Sequence, residues 1–161
     1  MREGLVVGLI AYVAVAVFYV GFDILAARGA LFTVNMLGEA VFRGLRDPSV
    51  LRFPRELDPT AIFLYNALHL ALSLGIGLTV TWLVAVAERY QEWRGAVLAV
   101  LFTGGVVTVM AVGLLTEAMR PVLPWWSIVV ANLLAVAIAG AYLVRRHPTI
   151  IARSGSLATV R

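Results

Sequence analysis

A bilayer core of ~30 Å is crossed by ~20 apolar residues in helical conformation, and four stretches of this chain meet that length: residues 4–26, 60–86, 95–118 and 125–144. This pattern leaves few folds open. Valine is frequent in all four, but they are too long for the strands of a membrane barrel and lack the period-two alternation that such strands need. The expected fold class is all-α: a polytopic membrane protein with four transmembrane helices in a single membrane domain, residues 1–161.

Composition agrees. The chain is 61% hydrophobic and 14% charged, against roughly 45–50% and about 25% in soluble domains. No cysteine is present, which excludes disulfides, thiol catalysis and Cys-ligated zinc or iron–sulfur sites. The net charge is +4, and no basic, aromatic-interleaved stripe of the kind that binds nucleic acid is evident. The first apolar run is longer than a signal-peptide core and lacks a convincing cleavage site, so it is expected to be retained.

The connections differ in character. Those between the second, third and fourth spans are short, so these spans should form an antiparallel meander. The first connection, 27–59, is long. Within it, about 31–45 reads as an amphipathic helix in the interface plane. Leu31, Val34, Gly38, Val41, Phe42 and Leu45 form its expected apolar face, and Asn35, Glu39, Arg43 and Arg46 its polar face. Glu39 and Arg43, with Trp125 and Trp126, are candidate partner-contact residues. The stretch "RDPSVLRFPRELDP" reads as an extended loop, and Asp58 or Thr60 is placed to cap the second span. The polar tail "ARSGSLATVR" is of a kind that frays unless a partner holds it.

With four spans both ends share one side. Arginine counts are seven on that side and six on the other, but the short loop and "RR" directly after the fourth span place both termini in the cytoplasm. Trp82, Tyr90 and Trp93 then belong to the inner aromatic belt, Trp125 and Trp126 to the outer one.

Polar groups inside the spans are the candidates for chemistry. Asp23, Asn66, His69, Asn132 and the boundary residue Glu117 all fall in the outer half. Asn66, His69 and Ser73 make a stripe on one face of the second span, at i, i+3 and i+7. A neutral imidazole needs a donor and an acceptor, and Asp23 or Asn132 could supply them to His69. An Asp23–His69 pair could relay protons; His69 could ligate a haem or bacteriochlorophyll, or bind a quinone carbonyl. A bis-histidine haem is disfavoured, because His147 lies beyond the opposite end of the fourth span. No cofactor is required by the sequence and no metal site is expected. The bland alternatives are a hydrogen-bonded structural His69, an interfacial Asp23 solvated or paired with Arg28, and an Asn132 bonding between helices. Gly75, Gly77, Gly104, Gly105, Gly113, Ala131, Ala135 and Ala139 read as close-packing residues, whereas Gly4, Gly8 and Gly21 carry no specific signal. "FTGGVVT" lacks the Lys-Ser/Thr ending of a phosphate loop, and no nucleophile–base–orienter set is evident.

At "DILAARGALFTVNMLGEAVFRGL" and "YNALHLALSLGIGL" the chain resembles small four-helix bacterial membrane proteins of no assigned activity. They share an aspartate near the end of the first helix, a G-x-x-[FY]-T-x-x-x-LG-x-x-[LV]F stretch, and a histidine in the second helix. The matching positions are Asp23, Gly29, Phe32, Thr33, Leu37, Gly38, Phe42 and His69; Val34 stands where proline is usual. The resemblance covers about a third of the chain and implies that Asp23, the loop helix and His69 belong together. It implies no activity.

Two roles are in view. One is a non-catalytic accessory subunit of a larger bacterial membrane complex, an electron-transfer (respiratory or photosynthetic) complex above all, with lipids and other membrane subunits as partners. The other is a stand-alone small transporter, or a quinone- or haem-linked protein, using Asp23 and His69. The expected location is the bacterial cytoplasmic membrane.

Overall fold

The structure, a computed structural model, describes residues 1–44 and 56–147. They form α1 (Arg2–Leu25), α2 (Phe32–Phe42), α3 (Pro59–Arg89), α4 (Arg94–Leu115) and α5 (Trp125–Arg146), with single 3-10 turns at Gln91–Trp93 and Glu117–Met119. All regular structure among the described residues is helical, and α1, α3, α4 and α5 are long and apolar enough to cross a membrane. Each span lies within three residues of where apolar length places it. Most of the expected extended loop, and the whole polar tail from residue 148 on, lie outside the described residues.

α1 is the hub, packed most extensively against α3 and next against α5, whereas α4 touches α3 and α5 only lightly. The expected meander neighbours are therefore present but thinly packed. Small residues explain the asymmetry. A Cβ on Gly77 of α3 would run into the backbone of Gly4 and Gly8, and a Cβ on Gly8 into the backbone of Ser73 and Leu74. Two helices approach this closely only where side chains are missing. Gly4 and Gly8, which carried no signal in the sequence, are half of this contact; their spacing inside an apolar run was the sign. On the other flank, the small residues Ala131, Ala135 and Ala139 form a buried stripe along α5. Gly113 takes the Trp125 ring. Gly75, Gly104 and Gly105, by contrast, face open space, so these three permit no close contact within the chain.

α2 plugs one end of the bundle. Its Phe32, Met36, Leu37 and Ala40 form one buried cluster with Met119, Leu123 and Ile128. Where the alternative is water, burying a side chain of the size of Phe, Met, Leu or Ile contributes roughly 1.5–3 kcal/mol. The faces of this helix differ from expectation. Asn35, assigned to the polar outer face, is 1% exposed, while Leu31, Val41 and Phe42, assigned to the apolar face, are exposed. The physical reason lies at the start of α3, whose unpaired backbone groups need polar partners and draw the Asn35 side inward. Arg46 and Leu45 lie outside the described residues. At the opposite end a second cluster joins Val7, Ala139 and Leu143.

Candidate functional site

The polar residues do not converge on one site. They divide among four groups, each tied to a different helix junction.

The first is built on Asp23, 1% exposed in the last turn of α1. The chain leaves α1 with the Arg28 N–H donating to the Asp23 carbonyl and the Ala27 N–H to the Ile24 carbonyl. Ala27 is left-handed (φ 54) and Gly29 follows at φ 86. This left-handed helix end turns the chain so that α2 lies across the end of the bundle, mainly against α3. The Asp23 carboxylate then receives the Thr33 N–H and the Thr33 hydroxyl, both at 2.7 Å. A carboxylate facing the N-terminal turn of α2 satisfies an orphan donor and complements the helix dipole. Arg28 lies 3.9 Å away, donates to the Val122 carbonyl, and stacks between the rings of Phe22 and Phe32 at 4.8 and 5.2 Å. Asp23 is thus neither solvated nor near His69; it fastens α2. Gly29, Phe32, Thr33 and Gly38 of the resemblance motif find their physical reasons here: a left-handed turn, a cation stack, a double hydrogen bond, and contact with the Ala61 backbone.

The second group fixes the start of α3. Asp58 accepts the Ala61 N–H at 2.9 Å, as its capping position requires. The Asp58 N–H donates to Asn35 Oδ1 at 2.8 Å, while Asn35 Nδ2 donates to Glu39 and to the Glu56 carbonyl. Arg43 donates to Asp58 at 2.9 Å, and this hydrogen bond holds the Asp58 carboxyl below the usual carboxylate range. Glu39 and Arg43, candidate partner contacts, are engaged within the chain. Asn35→Ala should lower stability by roughly 1–3 kcal/mol, because the Asp58 N–H and Glu56 carbonyl lose a buried partner. A chemical-denaturant titration of the detergent-solubilised chain reads this directly; a change under half a kcal/mol would count against it.

The third group holds His69. Tyr12 donates to Asn66 Oδ1 at 2.9 Å, and Asn66 Nδ2 donates to the Ile62 carbonyl. The His69 ring lies 5.2 Å from that of Tyr12 and 6.1 Å from that of Tyr65. The stripe Asn66–His69–Ser73 therefore faces α1, level with Tyr12 and Gly8. Tyr12 and Asp23 are ~16 Å apart along α1 at 1.5 Å per residue, so the Asp23–His69 pair is not assembled. Asn132 bonds back to the Ile128 carbonyl of its own helix, and among the described residues neither ring nitrogen of His69 has a hydrogen-bond partner. Trp126 is exposed, its ring edge-on to Phe22. Glu117 pairs with Arg120 at 3.4 Å on the surface.

The fourth group went unread in the sequence. His147, just past α5, meets Glu88 of α3 through Nδ1 at 3.0 Å and Glu3 of α1 through Nε2 at 3.1 Å. Three helix ends are clamped by one ring. Burial works against the imidazolium, but the hydrogen bonds to Glu3 and Glu88 outweigh it and raise its pKa above the ordinary histidine value. The carboxylates stand on opposite edges of the ring, an arrangement for a bridging cation rather than a metal. A raised folded-state pKa contributes stability that is fully present below the ordinary value of ~6.5 and is lost as pH rises through the raised one. The melting temperature should therefore fall from mildly acidic to mildly alkaline pH, and His147→Gln should flatten that slope. An unchanged slope in the variant would assign it to other groups.

Comparison with protein-family models, with characterised proteins and with solved structures finds no match.

Proposed function

We propose that this chain is a non-catalytic accessory subunit of a larger membrane complex, inserted through α1, α3, α4 and α5 in a bacterial cytoplasmic membrane with both termini on the cytoplasmic side. The observation that carries this proposal is the pair Gly104–Gly105. Each glycine inside a helix is less favourable than alanine by ~1 kcal/mol, and both of these face open space on the most exposed helix of the four. Gly4, Gly8, Gly77 and Gly113 permit close contact within the chain; Gly21, Gly75, Gly95 and Gly140 also face open space, but only Gly104 and Gly105 do so as an adjacent pair. A helix of another subunit laid on α4 would give the outward pair the same purpose. The engaged state of Asp23, Asn35 and Asn66 also supports a packing role, since these groups join helices to each other. The exposed rim Leu31, Val41 and Phe42 of α2 suits an interface-plane position. Trp126, exposed beside α1, extends the surface open to partners.

The test is purification through a tag on this chain in mild detergent, with a native gel, a visible absorption spectrum and mass spectrometry of co-migrating bands. A large assembly that disperses in Gly105→Leu supports the proposal, and a chromophore in it would identify an electron-transfer complex. A lone chain or a homo-oligomer would overturn it.

A second role keeps one specific observation in its favour. The half-buried His69 ring lacks a hydrogen-bond partner among the described residues, so a quinone, haem or bacteriochlorophyll could satisfy it. Bound pigment on an isolated chain, lost in His69→Leu, would move that role ahead of the first.

A further inference from the structure

The α3–α4 seam opens at the end where the two helices are joined by Tyr90 and the turn Gln91–Trp93. A groove of about 440 Å³ lies there, lined by Trp82, Leu83 and Val86 of α3, Tyr90 and Trp93 of the connection, and Val97 of α4 among others. It is almost wholly apolar, and its volume falls in the ~300–1,000 Å³ range of small-molecule sites. Three of the chain's aromatic side chains stand around this one groove.

Charge flanks its Tyr90–Trp93 end. The Arg89 guanidinium lies over the Tyr90 ring at 5.5 Å, and Arg89 is exposed. Arg94 is tethered through Nε to the Ala87 carbonyl at 3.3 Å, which leaves its two terminal nitrogens as donors among the described residues. The acidic groups nearby are Glu88, which turns away to His147, and the exposed Glu92. An apolar slot between two candidate spans, with two guanidinium groups and a phenol and an indole at its open end, matches one chemistry: an acyl chain carrying a phosphate headgroup. We infer that this groove is a binding site for an anionic phospholipid, its acyl chain along Trp82, Val86 and Val97 and its phosphate on Arg89 and Arg94. The groove stops about one turn before Gly104, so lipid here and a partner helix on the outward glycines are compatible.

The test is native mass spectrometry of the full chain released from micelles doped with phosphatidylglycerol or phosphatidylcholine, matched in acyl chains. Phosphatidylglycerol should be retained over phosphatidylcholine by about tenfold or more, because two arginines face the phosphate. Arg89→Gln/Arg94→Gln should abolish that preference, while Arg120→Gln at the other end should not. Ala96 also lines the groove, so Ala96→Phe, which fills it and keeps both charges, should lower retention of both lipids. Circular dichroism confirms that each variant is folded. Equal retention of the two lipids would overturn the inference, as would equal behaviour of the two arginine variants. So would an Ala96→Phe variant that binds normally. Protection of Trp82 and Trp93 from brominated lipid by a co-purified subunit would assign the groove to a protein helix and likewise overturn it.

Discussion

Replacing Gly77 with valine is expected to separate α1 from α3 and to destabilise the chain by about 3 kcal/mol or more, at or beyond the upper end of what overpacking does in a core. The reason is what the new Cβ meets. It would lie against the Gly4 carbonyl and against the nitrogen and Cα of Gly8, all backbone, and backbone cannot rotate away as a side chain can. Either α1 moves out along its length or the helix pair parts. Because α1 is also the main support of α5, the loss spreads through the bundle. Gly75→Val is the matched control, two residues earlier on the same helix but facing open space; it should stay within about 0.5 kcal/mol, as surface substitutions do. Thermal unfolding followed by size exclusion in detergent distinguishes the two. Equal melting temperatures would mean that the close approach of α1 and α3 contributes nothing.

Removing the Asp23 carboxylate should be nearly as damaging. Asp23→Ala takes away the acceptor for two Thr33 donors and leaves Arg28, whose side chain is 10% exposed, without its counter-charge. Breaking a buried pair from one side destabilises by about 3–5 kcal/mol, whereas replacing both partners by apolar residues is often close to neutral. Asp23→Ala/Arg28→Leu should therefore recover much of the loss. Thr33→Val removes only the hydroxyl bond and should lower stability by about 1 kcal/mol. Denaturant titration of the three variants, with Arg28→Leu alone to complete the cycle, measures these differences. If the double variant is no better than Asp23→Ala, the damage comes from the lost cap on α2, and Arg28 is not the stranded charge.

The sequence by itself determined the number, order and extent of the long helices. Hydrocarbon thickness demands a given run of apolar residues, and such a run is local, so it can be read without knowing any neighbour. The Asp58 cap was legible for the same reason: donor and acceptor lie three residues apart. α3 outruns its apolar window by about a turn, through Glu88 and Arg89, because helical hydrogen bonding continues where hydropathy stops. Arg145 and Arg146 extend α5 in the same way.

Tertiary structure decided everything that depends on register between helices. Periodicity gives a residue its face, but it does not say which residue of another helix arrives opposite. Asn35 shares a polar stripe with Glu39 and Arg43, and only the arrival of Asp58 turns Asn35 itself inward. His69 and Asp23 seemed close when depth was counted from the middle of each span; the pairing of Gly8 with Gly77 sets His69 level with Tyr12, about 16 Å from Asp23 along α1. Glu3 and Glu88 lie 144 and 59 residues from His147, and nothing local in any of them signals the clamp. They meet because α1, α3 and α5 end together at one end of the bundle, and an imidazole between two carboxylates satisfies all three where none could satisfy itself.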